Sequence, residues 1–537
     1  MKTNVLYYGD NLDILRRREY FPDESIDLIY LDPPFNSNRS YNVLFRESTG
    51  AASEAQIEAF EDTWHWGPPA ARAYEEVMTG QHQNVARLLR AMVEGLGHND
   101  VTAYLTMMAV RLVELHRVLK PTGSMYLHCD PTASHYLKML MDAVFGPSHF
   151  RNEIVWQRTS AHGDSKKFGR VNDTILYCCK SDRYTWNPQY AEHDPGYVEA
   201  FYRYNDPERG PFRLDHIIRS STMGPRPNLA YEYKGYTPKW GWRVTRDKLE
   251  AFDRDGRLHL SKTGRPYLKR FLNEMKGTAL KALWTDIPPV GPQARERLGY
   301  PTQKPLALLE RVINASSNPG DIVLDPFCGC GTATHAAHKL GRQWIGIDIT
   351  HLAIGLVRRR MQDAFPGLEI EVIGEPVDLA WARDLAQRDK YQFQWWALDK
   401  LGAQPVSGRK KGSDRGIDGV IPFFAGPKED YKRALVSVKG GEHVNVGMVR
   451  DLVGVLEREK EPIGVLLTLE LPTQPMVTEA ASAGFYHNDF WQKDYPRVQI
   501  LTVEEMLAGK RPDMPSTRSP FAQAPLEREE RRTKRML

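Results

Sequence analysis

The chain has 537 residues, a length that predicts two to four domains, and 41% of its residues are hydrophobic, which is enough for buried cores. Its formal net charge of +4 is mildly basic and is compatible with nucleic-acid binding without indicating it. No run of roughly eighteen or more apolar residues occurs, so the sequence excludes a membrane-spanning helix.

The cysteines and the start of the chain predict the compartment. The five cysteines are odd in number and scattered, which argues against a disulfide framework. Cys328 and Cys330 lack a second pair of ligands at the spacing of a zinc site, so we interpret them as small residues of a turn. Residues 1–8 lack the long apolar region of a secretory signal peptide. We therefore expect a reducing, cytoplasmic location.

Residues 4–8 predict a short apolar strand that ends at Gly9 and Asp10. A helix is predicted to begin near Asn11, and an aspartate directly before a helix commonly caps its first turn. Asp10 is therefore a candidate helix cap, and contact with a ligand is the alternative.

A buried strand is predicted at residues 26–31, and the sequence Asp-Pro-Pro-Phe follows it at residues 32–35. The two prolines fix φ, remove two N–H donors and push the residue before each one toward extended geometry. The resulting stiff loop lies at the carboxyl end of a strand, where open α/β sheets bind ligands. Asp32 and nearby carbonyls can accept hydrogen bonds from an amino group, and Phe35 offers a stacking face, which suits a base removed from its stack. An ordinary strand-to-loop turn explains these four residues equally well.

Alternating helical and strand patterns over residues 100–156 predict a βαβ arrangement and hence a parallel sheet, with strands at 124–128 and 150–156. His128 and Asp130 stand at the end of the first of these strands. Both can line a pocket, but a structural role is the favoured interpretation for each.

A glycine turn far down the chain changes the interpretation of residues 32–35. Residues 322–332 predict a strand, a Gly-Cys-Gly turn and the start of a helix, and the next strand, at 343–347, ends in Asp348. Glycines let a backbone approach a ligand closely, and an acid at the next strand's end can bind two ribose hydroxyls. The strand, the turn, the helix, the second strand and its acid therefore come in the order of a site for a ribose-containing ligand.

Together, Asp-Pro-Pro-Phe at 32–35 and Asp-Pro-Phe-Cys-Gly-Cys-Gly-Thr at 325–332 resemble the catalytic and cofactor motifs of the amino-methylating DNA methyltransferases, which use S-adenosylmethionine. The catalytic motif comes first, which is the permuted order of the beta group, shared with the modification subunits of type III systems. The resemblance spans roughly residues 3–365 and is weakest in the middle. It implies an α/β, Rossmann-like methyltransferase with an inserted target-recognition region.

The resemblance also implies roles for individual residues. The implied catalytic residues are Asp32, Pro33, Pro34 and Phe35. The implied cofactor-binding residues are Asp10, Lys304, Asp325, Phe327, Gly329, Gly331 and Asp348. In the family, the position of Asp10 contacts the adenine of the cofactor, and the segment that holds Lys304 lines the methionine end, where a lysine can reach the carboxylate. A residue at the start of a helix is the alternative for Lys304. No metal is implied for methyl transfer.

The implied activity is methylation of the exocyclic N6 of adenine in double-stranded DNA, in a restriction-modification or defence context. Adenine is preferred because Asp-Pro-Pro-Phe is commoner among the adenine enzymes, whereas Ser-Pro-Pro-Tyr loops are commoner among the cytosine enzymes. The alternatives are an N4-cytosine methyltransferase, and a DNA-binding or Mg²⁺-dependent nuclease whose methyltransferase half only senses methylation. Implied partners are DNA and, as options, a restriction or defence subunit and a second copy in a homodimer. A cytoplasmic, nucleoid-associated protein with no membrane partner is expected.

A second domain, predicted over residues 375–510, resembles the Mrr-like branch of the restriction-endonuclease fold. In that fold an acid after one strand and an acid-x-Lys on the next hold Mg²⁺ and water for phosphodiester hydrolysis. Asp418 and Lys439 match the first acid and the lysine, so Asp418 is a candidate Mg²⁺ ligand. Ser437 stands where the family has Glu, Asp or Gln, and serine is a poor ligand for a hard cation.

The first helix of that family often carries a further acid, and this chain has Gln392 and Gln394 there instead. Cleavage by this domain therefore stays an open question, and a DNA-binding or assembly domain with remnants of a site is an equal alternative.

The predicted divisions of the chain follow from these patterns. They are 1–156 for the catalytic half of the methyltransferase with an insertion at about 36–100, 157–297 for target recognition, 298–370 for the cofactor-binding half, 375–510 for the endonuclease-like domain, and 511–537 for a disordered tail. The recognition region is assigned from its place in the motif order and from basic and aromatic residues that interleave with Gly and Pro, since Lys and Arg there would contact phosphates.

Overall fold

The computed structural model describes residues 1–34, 40–46, 52–61, 65–159, 166, 168–291, 293–298, 300, 302–406, 416–426 and 430–515, with only the backbone described for 40–46, 52–61 and 430–431. Phe35 lies outside the described residues, as does most of the predicted tail, residues 516–537. Among the described helices, none is long and apolar enough to cross a membrane.

A nine-stranded sheet organises the first part of the chain. In sheet order its strands are Leu283–Trp284, Phe150–Gln157, Asn172–Cys179, Leu119–Cys129, Ile26–Leu31, Ile322–Asp325, Gln343–Asp348, Val5–Tyr8 and Glu371–Ile373. The expectation of a parallel sheet is wrong at one strand, because Asn172–Cys179 runs antiparallel to both of its neighbours. The other pairs are parallel.

The two predicted motif strands lie side by side in the middle of this sheet. Ile26–Leu31 pairs with Ile322–Asp325, with Leu28 opposite Val323, although the two strands are far apart in the sequence. Both strands are buried and almost wholly apolar, as is usual for central strands of a parallel region that is covered on both faces. Because parallel strands end at the same edge, residues 32–34 and the glycine turn after Asp325 meet there.

Helices cover both faces of the sheet and form two separate cores with it. One face carries Asn11–Leu15, Pro68–Thr79, Gln83–Leu96, Asp100–Val118 and Ser134–Phe145. The other carries Leu306–Ser316, Thr332–Lys339 and His351–Ala364. The insertion expected at about 36–100 contains an antiparallel hairpin, Ser40–Arg46 with Ala52–Glu61, as well as the first two long helices.

Residues 188–281 form a compact unit of their own. Its antiparallel sheet has the strands Leu258–Leu260, Pro266–Phe271, Gly210–His216 and Tyr204–Asp206, its short ladder pairs Tyr190–Ala191 with Thr278–Ala279, and its α-helices are Pro195–Phe201 and Arg246–Arg254. Trp242 is fully buried at the centre of its core. The unit is shorter than the predicted 157–297, because residues 172–179 and 283–284 extend the nine-stranded sheet instead.

The C-terminal part has a five-stranded sheet with a core on each face, and it belongs to the same compact unit as the nine-stranded sheet. The strands are, in sheet order, Gln404–Pro405, Gly419–Gly426, Asp430–Lys439, Ile463–Thr468 and Val498–Thr502. A hairpin pairs Phe485–Asn488 with Lys493–Pro496. The helices are Leu379–Arg388, Lys390–Leu401, Val446–Glu459, Gln474–Ser482 and Val503–Leu507.

Candidate active site

One cavity at the carboxyl edge of the nine-stranded sheet brings both predicted motifs together. We call it the cofactor cavity. The residues that line it and were singled out from the sequence are Asp10, Asp32, Pro33, Pro34, Lys304, Asp325, Phe327, Gly329 and Asp348. The residues that line it and were not singled out include Tyr30, Arg111, Tyr300 and Thr350. Gly331 lies directly behind the lining, at the start of a helix.

The glycine turn has a backbone shape that requires glycine. Gly329 has a φ of +47° and Gly331 a φ of +73°, both in the left-handed region. A Cβ added at Gly331 would come within 2.7 Å of Val357 Cγ1, and one at Gly329 would come within 3.2 Å of the Tyr300 ring. The turn is therefore closely packed from behind, and its backbone faces the cavity at the start of helix Thr332–Lys339.

Asp348 ties the end of its strand to the glycine turn. Its Oδ2 accepts a hydrogen bond of 2.9 Å from the N–H of Gly329, and its Oδ1 accepts bonds of 2.9 Å from the N–H and the hydroxyl of Thr350. Burial raises the pKa of the Asp348 carboxyl, although these donors oppose the rise. The carboxylate also lines the cavity, where a ligand hydroxyl can reach it.

Asp325 is a second buried acid in the same cavity. Burial raises its pKa well above the ordinary value, and the carboxylates of Asp32 and Asp348 add to the rise, while the N–H of Phe327 donates to Oδ1 at 3.1 Å and opposes it. Four acids, Asp10, Asp32, Asp325 and Asp348, and two basic residues, Arg111 and Lys304, line the cavity. A positively charged ligand beside Asp325 would stabilise the ionised form of its carboxyl and so oppose the rise in its pKa.

Asp32 forms a buried ion pair with Lys304 through its Oδ2. Its other oxygen, Oδ1, is buried and receives no hydrogen bond from the residues that the structure describes. Lys304 Nζ therefore contacts the predicted catalytic acid, which the sequence did not indicate. Buried acceptors without a donor are rare and costly, so Oδ1 of Asp32 marks a place for a ligand N–H.

Asp10 has the capping role that was one of its two interpretations. Its Oδ1 accepts a hydrogen bond of 2.7 Å from the N–H of Leu12. Its carboxylate also pairs with Arg111, at 2.9 and 2.8 Å.

Arg111 further donates to Asn11, whose side chain donates to the carbonyl of Pro326 at 2.7 Å. A buried arginine thus joins two loops of the cavity. A charged residue within the apolar helix Asp100–Val118 was the signal that could have revealed it.

Behind Asp32, a buried hydrogen-bond chain runs from Tyr30 to His128 to Asp173. The hydroxyl of Tyr30 lies 2.8 Å from His128 Nδ1, and His128 Nε2 lies 3.1 Å from Asp173 Oδ2. Although burial raises the pKa of Asp173, its hydrogen bond with His128 brings the net value below the ordinary one.

The structural interpretation of Asp130 is confirmed, because its carboxylate accepts the backbone N–H groups of Thr132 and Ala133.

A family model for DNA methylases matches residues 26–357, which is more than half of the chain and includes both motifs. The chain belongs to the DNA methylase family. It is 35% identical over 265 residues to the type II methyltransferase M.EcaI of Enterobacter cloacae, an alignment that covers 48% of this chain and 57% of that protein.

Two further relatives of this DNA methylase are more distant. The Mod subunit of the type III restriction-modification enzyme StyLTI of Salmonella typhimurium is 24% identical over 63% of this chain and 50% of its own length. The DNA adenine methyltransferase YhdJ of Escherichia coli is 26% identical over 68% of this chain and 84% of its own length. The chain thus spans little more than half the length of the first relatives that it matches.

In the C-terminal part of the chain, Asp418 and Ser437 are in contact, but donors of the chain itself already form hydrogen bonds with both oxygens of the Asp418 carboxylate. Oδ2 of Asp418 accepts hydrogen bonds from the N–H of Val438 at 2.6 Å and from the Ser437 hydroxyl at 3.3 Å. Oδ1 accepts one of 2.8 Å from Gln394. Lys439 follows on the same strand and lies on the same face as Ser437. Among the described residues, no group of three or more His, Cys, Asp or Glu is placed to hold a metal.

Proposed function

We propose that this DNA methylase transfers a methyl group from S-adenosylmethionine to the N6 amino group of adenine in double-stranded DNA. The observation that carries the proposal is the buried Oδ1 of Asp32, an acceptor that no described residue satisfies, in the same cavity as the glycine turn and Asp348. The site offers an amino group a hydrogen-bond acceptor beside a place for a nucleoside-containing cofactor.

The cavity has the features that S-adenosylmethionine requires. The left-handed backbone at Gly329 gives a turn without side chains where the cofactor would lie, and Asp348 offers a carboxylate to the ribose hydroxyls. Asp10 and Phe327 line the same cavity and are assigned to the adenine end and to cofactor contact. When bound, S-adenosylmethionine supplies an electrophilic methyl group on a positively charged sulfur. That charge would stabilise the ionised form of the Asp325 carboxyl, whose pKa burial raises.

The chain's own residues then position the base. Oδ1 of Asp32 and the carbonyl groups of residues 32 and 33 accept the N–H bonds of the amino group, which directs the nitrogen lone pair toward the methyl donor. Lys304 holds Oδ2 of Asp32, so the side chain keeps one orientation and leaves Oδ1 for the base. Pro33 and Pro34 hold the loop stiff. Positioning and pocket electrostatics supply most of the rate.

Cysteine chemistry has no part in this proposal. Burial raises the pKa of Cys328 well above its ordinary value and also raises that of Cys330, so both thiols stay protonated near neutral pH. Phe35, which lies outside the described residues, is proposed to stack on the flipped base.

The choice of adenine rests on the Asp-Pro-Pro-Phe form of the loop and on the relative named a DNA adenine methyltransferase. N4 of cytosine is the alternative, since the same acceptors suit either amino group. A permuted, beta-group order is proposed because the strand of the catalytic motif precedes the strand of the cofactor motif in sequence while the two pair in the sheet.

Residues 188–281 are proposed to recognise the target sequence. This unit carries exposed or half-buried basic side chains next to aromatic rings, as with Lys269 at 5.1 Å from the Phe212 ring centre and Arg246 at 4.8 Å from that of Tyr231. Arginine and lysine on such a surface suit the phosphates of DNA. A restriction or defence subunit is a proposed partner, because one relative is a Mod subunit of a restriction-modification enzyme. Homodimer formation and a cytoplasmic, nucleoid-associated location complete the proposal.

The C-terminal part is proposed to have a restriction-endonuclease-like fold of the Mrr branch. Asp418 follows the short strand Gln404–Pro405 and directly precedes strand Gly419–Gly426, and Lys439 ends the strand that pairs with the latter. Because the chain's own donors occupy the Asp418 carboxylate, we propose that this part binds DNA or mediates assembly and that Mg²⁺-dependent cleavage is slow or absent.

The test is incubation of the full chain with unmethylated DNA, S-adenosylmethionine and Mg²⁺, followed by nucleoside mass spectrometry and a gel. N6-methyladenine in intact DNA is the expected product. N4-methylcytosine alone would move the assignment to the alternative base. DNA cleavage without any methylated nucleoside would favour a nuclease whose methylase half senses methylation state.

A further inference from the structure

The helix Lys390–Leu401 of the C-terminal part, which we call the docking helix, packs against helix His351–Ala364, which begins directly beyond Asp348 at the cofactor cavity. The contact is held by charge. The Asp399 carboxylate pairs with both Arg358 and Arg359, the latter at 2.6 Å, and only 9% of the Asp399 side chain is exposed. Paired guanidinium groups around one buried carboxylate fix a specific geometry rather than a loose association.

The backbone beneath Asp399 is shaped for this contact. A Cβ added at Gly355, in the middle of helix His351–Ala364, would come within 2.5 Å of Asp399 Oδ1. A second carboxylate, that of the almost fully buried Glu375, pairs with Lys400 of the docking helix at 2.7 Å and lies 3.5 Å from Arg358. The C-terminal end of the docking helix is thus held by close, charged contacts to two carboxylates that are almost fully buried.

Two contacts of the docking helix reach residues that adjoin the cofactor cavity. Trp395 packs against a cluster that includes Tyr300, Leu352 and Leu356. Tyr300 lines the cavity, and its ring lies against the backbone of Gly329. The second contact comes from Gln392, which lies three residues before Trp395 in the docking helix.

Gln392 accepts a hydrogen bond of 3.1 Å from the backbone N–H of His351, in the first turn after Asp348 and Thr350. The His351 ring in turn stacks on Tyr8 with ring centres 3.5 Å apart. Tyr8 ends the strand that leads to Gly9 and Asp10, which line the cavity. The docking helix therefore supports the cavity wall at the glycine turn and at the start of helix His351–Ala364.

The same helix also contacts the Asp418 site. Gln394, next to Trp395 in the sequence, donates its side-chain N–H to Asp418 Oδ1 at 2.8 Å. One helix thus places Trp395 against the cluster behind the cofactor cavity and the adjacent residue, Gln394, against the Asp418 carboxylate.

We propose that the docking helix is part of the cofactor site and couples occupancy of the cofactor cavity to the geometry of the Asp418 site. The proposal rests on the proposed use of the cavity for S-adenosylmethionine. Trp395 is a positioning residue, because it packs on the cluster that contains Tyr300 and does not line the cavity. Coupling is reciprocal: if a docked helix strengthens cofactor binding, bound cofactor stabilises the docked helix by the same factor.

The first test measures the affinity of S-adenosylhomocysteine for the full chain by calorimetry. Trp395→Ala is expected to weaken binding by about tenfold, within the usual range of coupling between sites. Trp395→Phe, which keeps an aromatic ring in the cluster, is expected to restore most of it. Trp381→Ala is the matched control, since Trp381 is half-exposed on the preceding helix and belongs to neither contact. In methylation assays the KM for S-adenosylmethionine should rise in Trp395→Ala while kcat changes little.

The second test measures amide hydrogen exchange in peptides that cover residues 390–401 and 434–439, with and without S-adenosylhomocysteine. Slower exchange in both peptides on ligand binding is expected in the wild type. If Trp395→Ala does not fold, Gln392→Ala takes its place, since it removes only one acceptor at the first turn.

The outcomes separate the two proposals. Wild-type affinity in both Trp395→Ala and Gln392→Ala, or ligand binding without any change of exchange in the docking helix, would overturn the coupling and leave the proposed function standing. Failure of the wild type to bind S-adenosylhomocysteine or S-adenosylmethionine would overturn the proposed function, and the coupling with it.

Discussion

The molecule has two sites that are each built around an aspartate beside a strand. The two carboxylates differ in which groups of the chain donate hydrogen bonds to them. Asp32 gives one oxygen to Lys304, and the other is buried with no donor among the described residues. Asp418 receives donors on both oxygens from its own chain, from Gln394, Ser437 and the backbone of residue 438. A carboxylate that lacks a donor is prepared for a ligand, whereas one that is satisfied must first lose its partners.

The largest effect is expected from Asp32→Ala. Removing the acceptor of the amino group should lower methyl transfer by at least about a hundredfold, the usual effect of removing one charge-stabilising group from an active site. Calorimetry with S-adenosylhomocysteine should show nearly unchanged affinity, because the glycine turn and Asp348 hold the cofactor. Retained turnover in the variant would remove Asp32 from the mechanism and would end the contrast with Asp418.

A smaller effect is expected at the cofactor end of the same cavity. Asp348→Ala removes a ribose contact and the acceptor of the Gly329 N–H, and Gly329→Val forces a side chain into a left-handed position against the Tyr300 ring. Both variants should bind S-adenosylhomocysteine about ten- to a hundredfold more weakly, as expected for the loss of one or two contacts of about 1.4 kcal/mol each. Gly367→Val is a matched control, since Gly367 also has a left-handed φ, of +89°, but an added Cβ would meet nothing within 4 Å, so the variant carries the backbone strain without the contact at the cavity. Normal affinity in both variants would mean that the cofactor binds elsewhere.

A stability effect is expected for Tyr30→Phe, behind the Asp32 loop. The variant removes the buried hydrogen bond between the Tyr30 hydroxyl and His128 Nδ1, which should lower the free energy of unfolding by about 1–3 kcal/mol. Denaturant titration measures this cost, and Tyr204→Phe, at a half-exposed ring, is the control. Equal stability of the two variants would show that the hydrogen bonds from Tyr30 to Asp173 do not contribute to the free energy of unfolding.

The smallest effect concerns Ser437→Glu, which would restore at the Asp418 site the pattern of the endonuclease fold proposed for the C-terminal part. Ser437 is buried, so the new carboxylate would stand against that of Asp418 and repel it unless a cation separates them. We expect a lower melting temperature in EDTA, a gain on addition of Mg²⁺, and Mg²⁺-dependent cleavage above the wild type. Ser437→Gln controls for size. Robust wild-type cleavage that survives Asp418→Ala would show that the active nuclease site lies elsewhere.

The sequence predicted most of the features that depend on the residues of a single segment of the chain. The strands at 5–8, 26–31 and 322–325 and the acid at 348 follow from apolar periodicity and turn chemistry, and the structure confirms them. Prediction failed where the outcome depends on distant partners. Residues 172–179 were assigned to the target-recognition region, and their antiparallel pairing with Leu119–Cys129 in the nine-stranded sheet follows only from the fold.

The same limit applies to the site. The contact between Lys304 and Asp32 joins residues 272 positions apart, so the motif around Lys304 indicated the cavity but not the partner. Arg358, Arg359 and Asp399 read in sequence as ordinary surface charges on two helices, and only their mutual burial reveals an interface. Local patterns thus located the loops of the cavity, while the ion pairs that orient them required the three-dimensional structure.

The most direct test of the contrast compares Asp32→Asn with Asp418→Asn in one assay. Both substitutions keep the size of the side chain and turn one of its two acceptor oxygens into an amide donor. At Asp32 the remaining oxygen is drawn to Lys304, so the amide N–H would face the N–H groups of the base. Each full-length variant is incubated with unmethylated DNA and S-adenosylmethionine that carries a deuterated methyl group, and labelled nucleosides are counted by mass spectrometry. We predict labelled N6-methyladenine at wild-type levels from Asp418→Asn and almost none from Asp32→Asn. Undiminished labelling by Asp32→Asn, or equal loss in both variants, would contradict the assignment of methyl transfer to the Asp32 cavity.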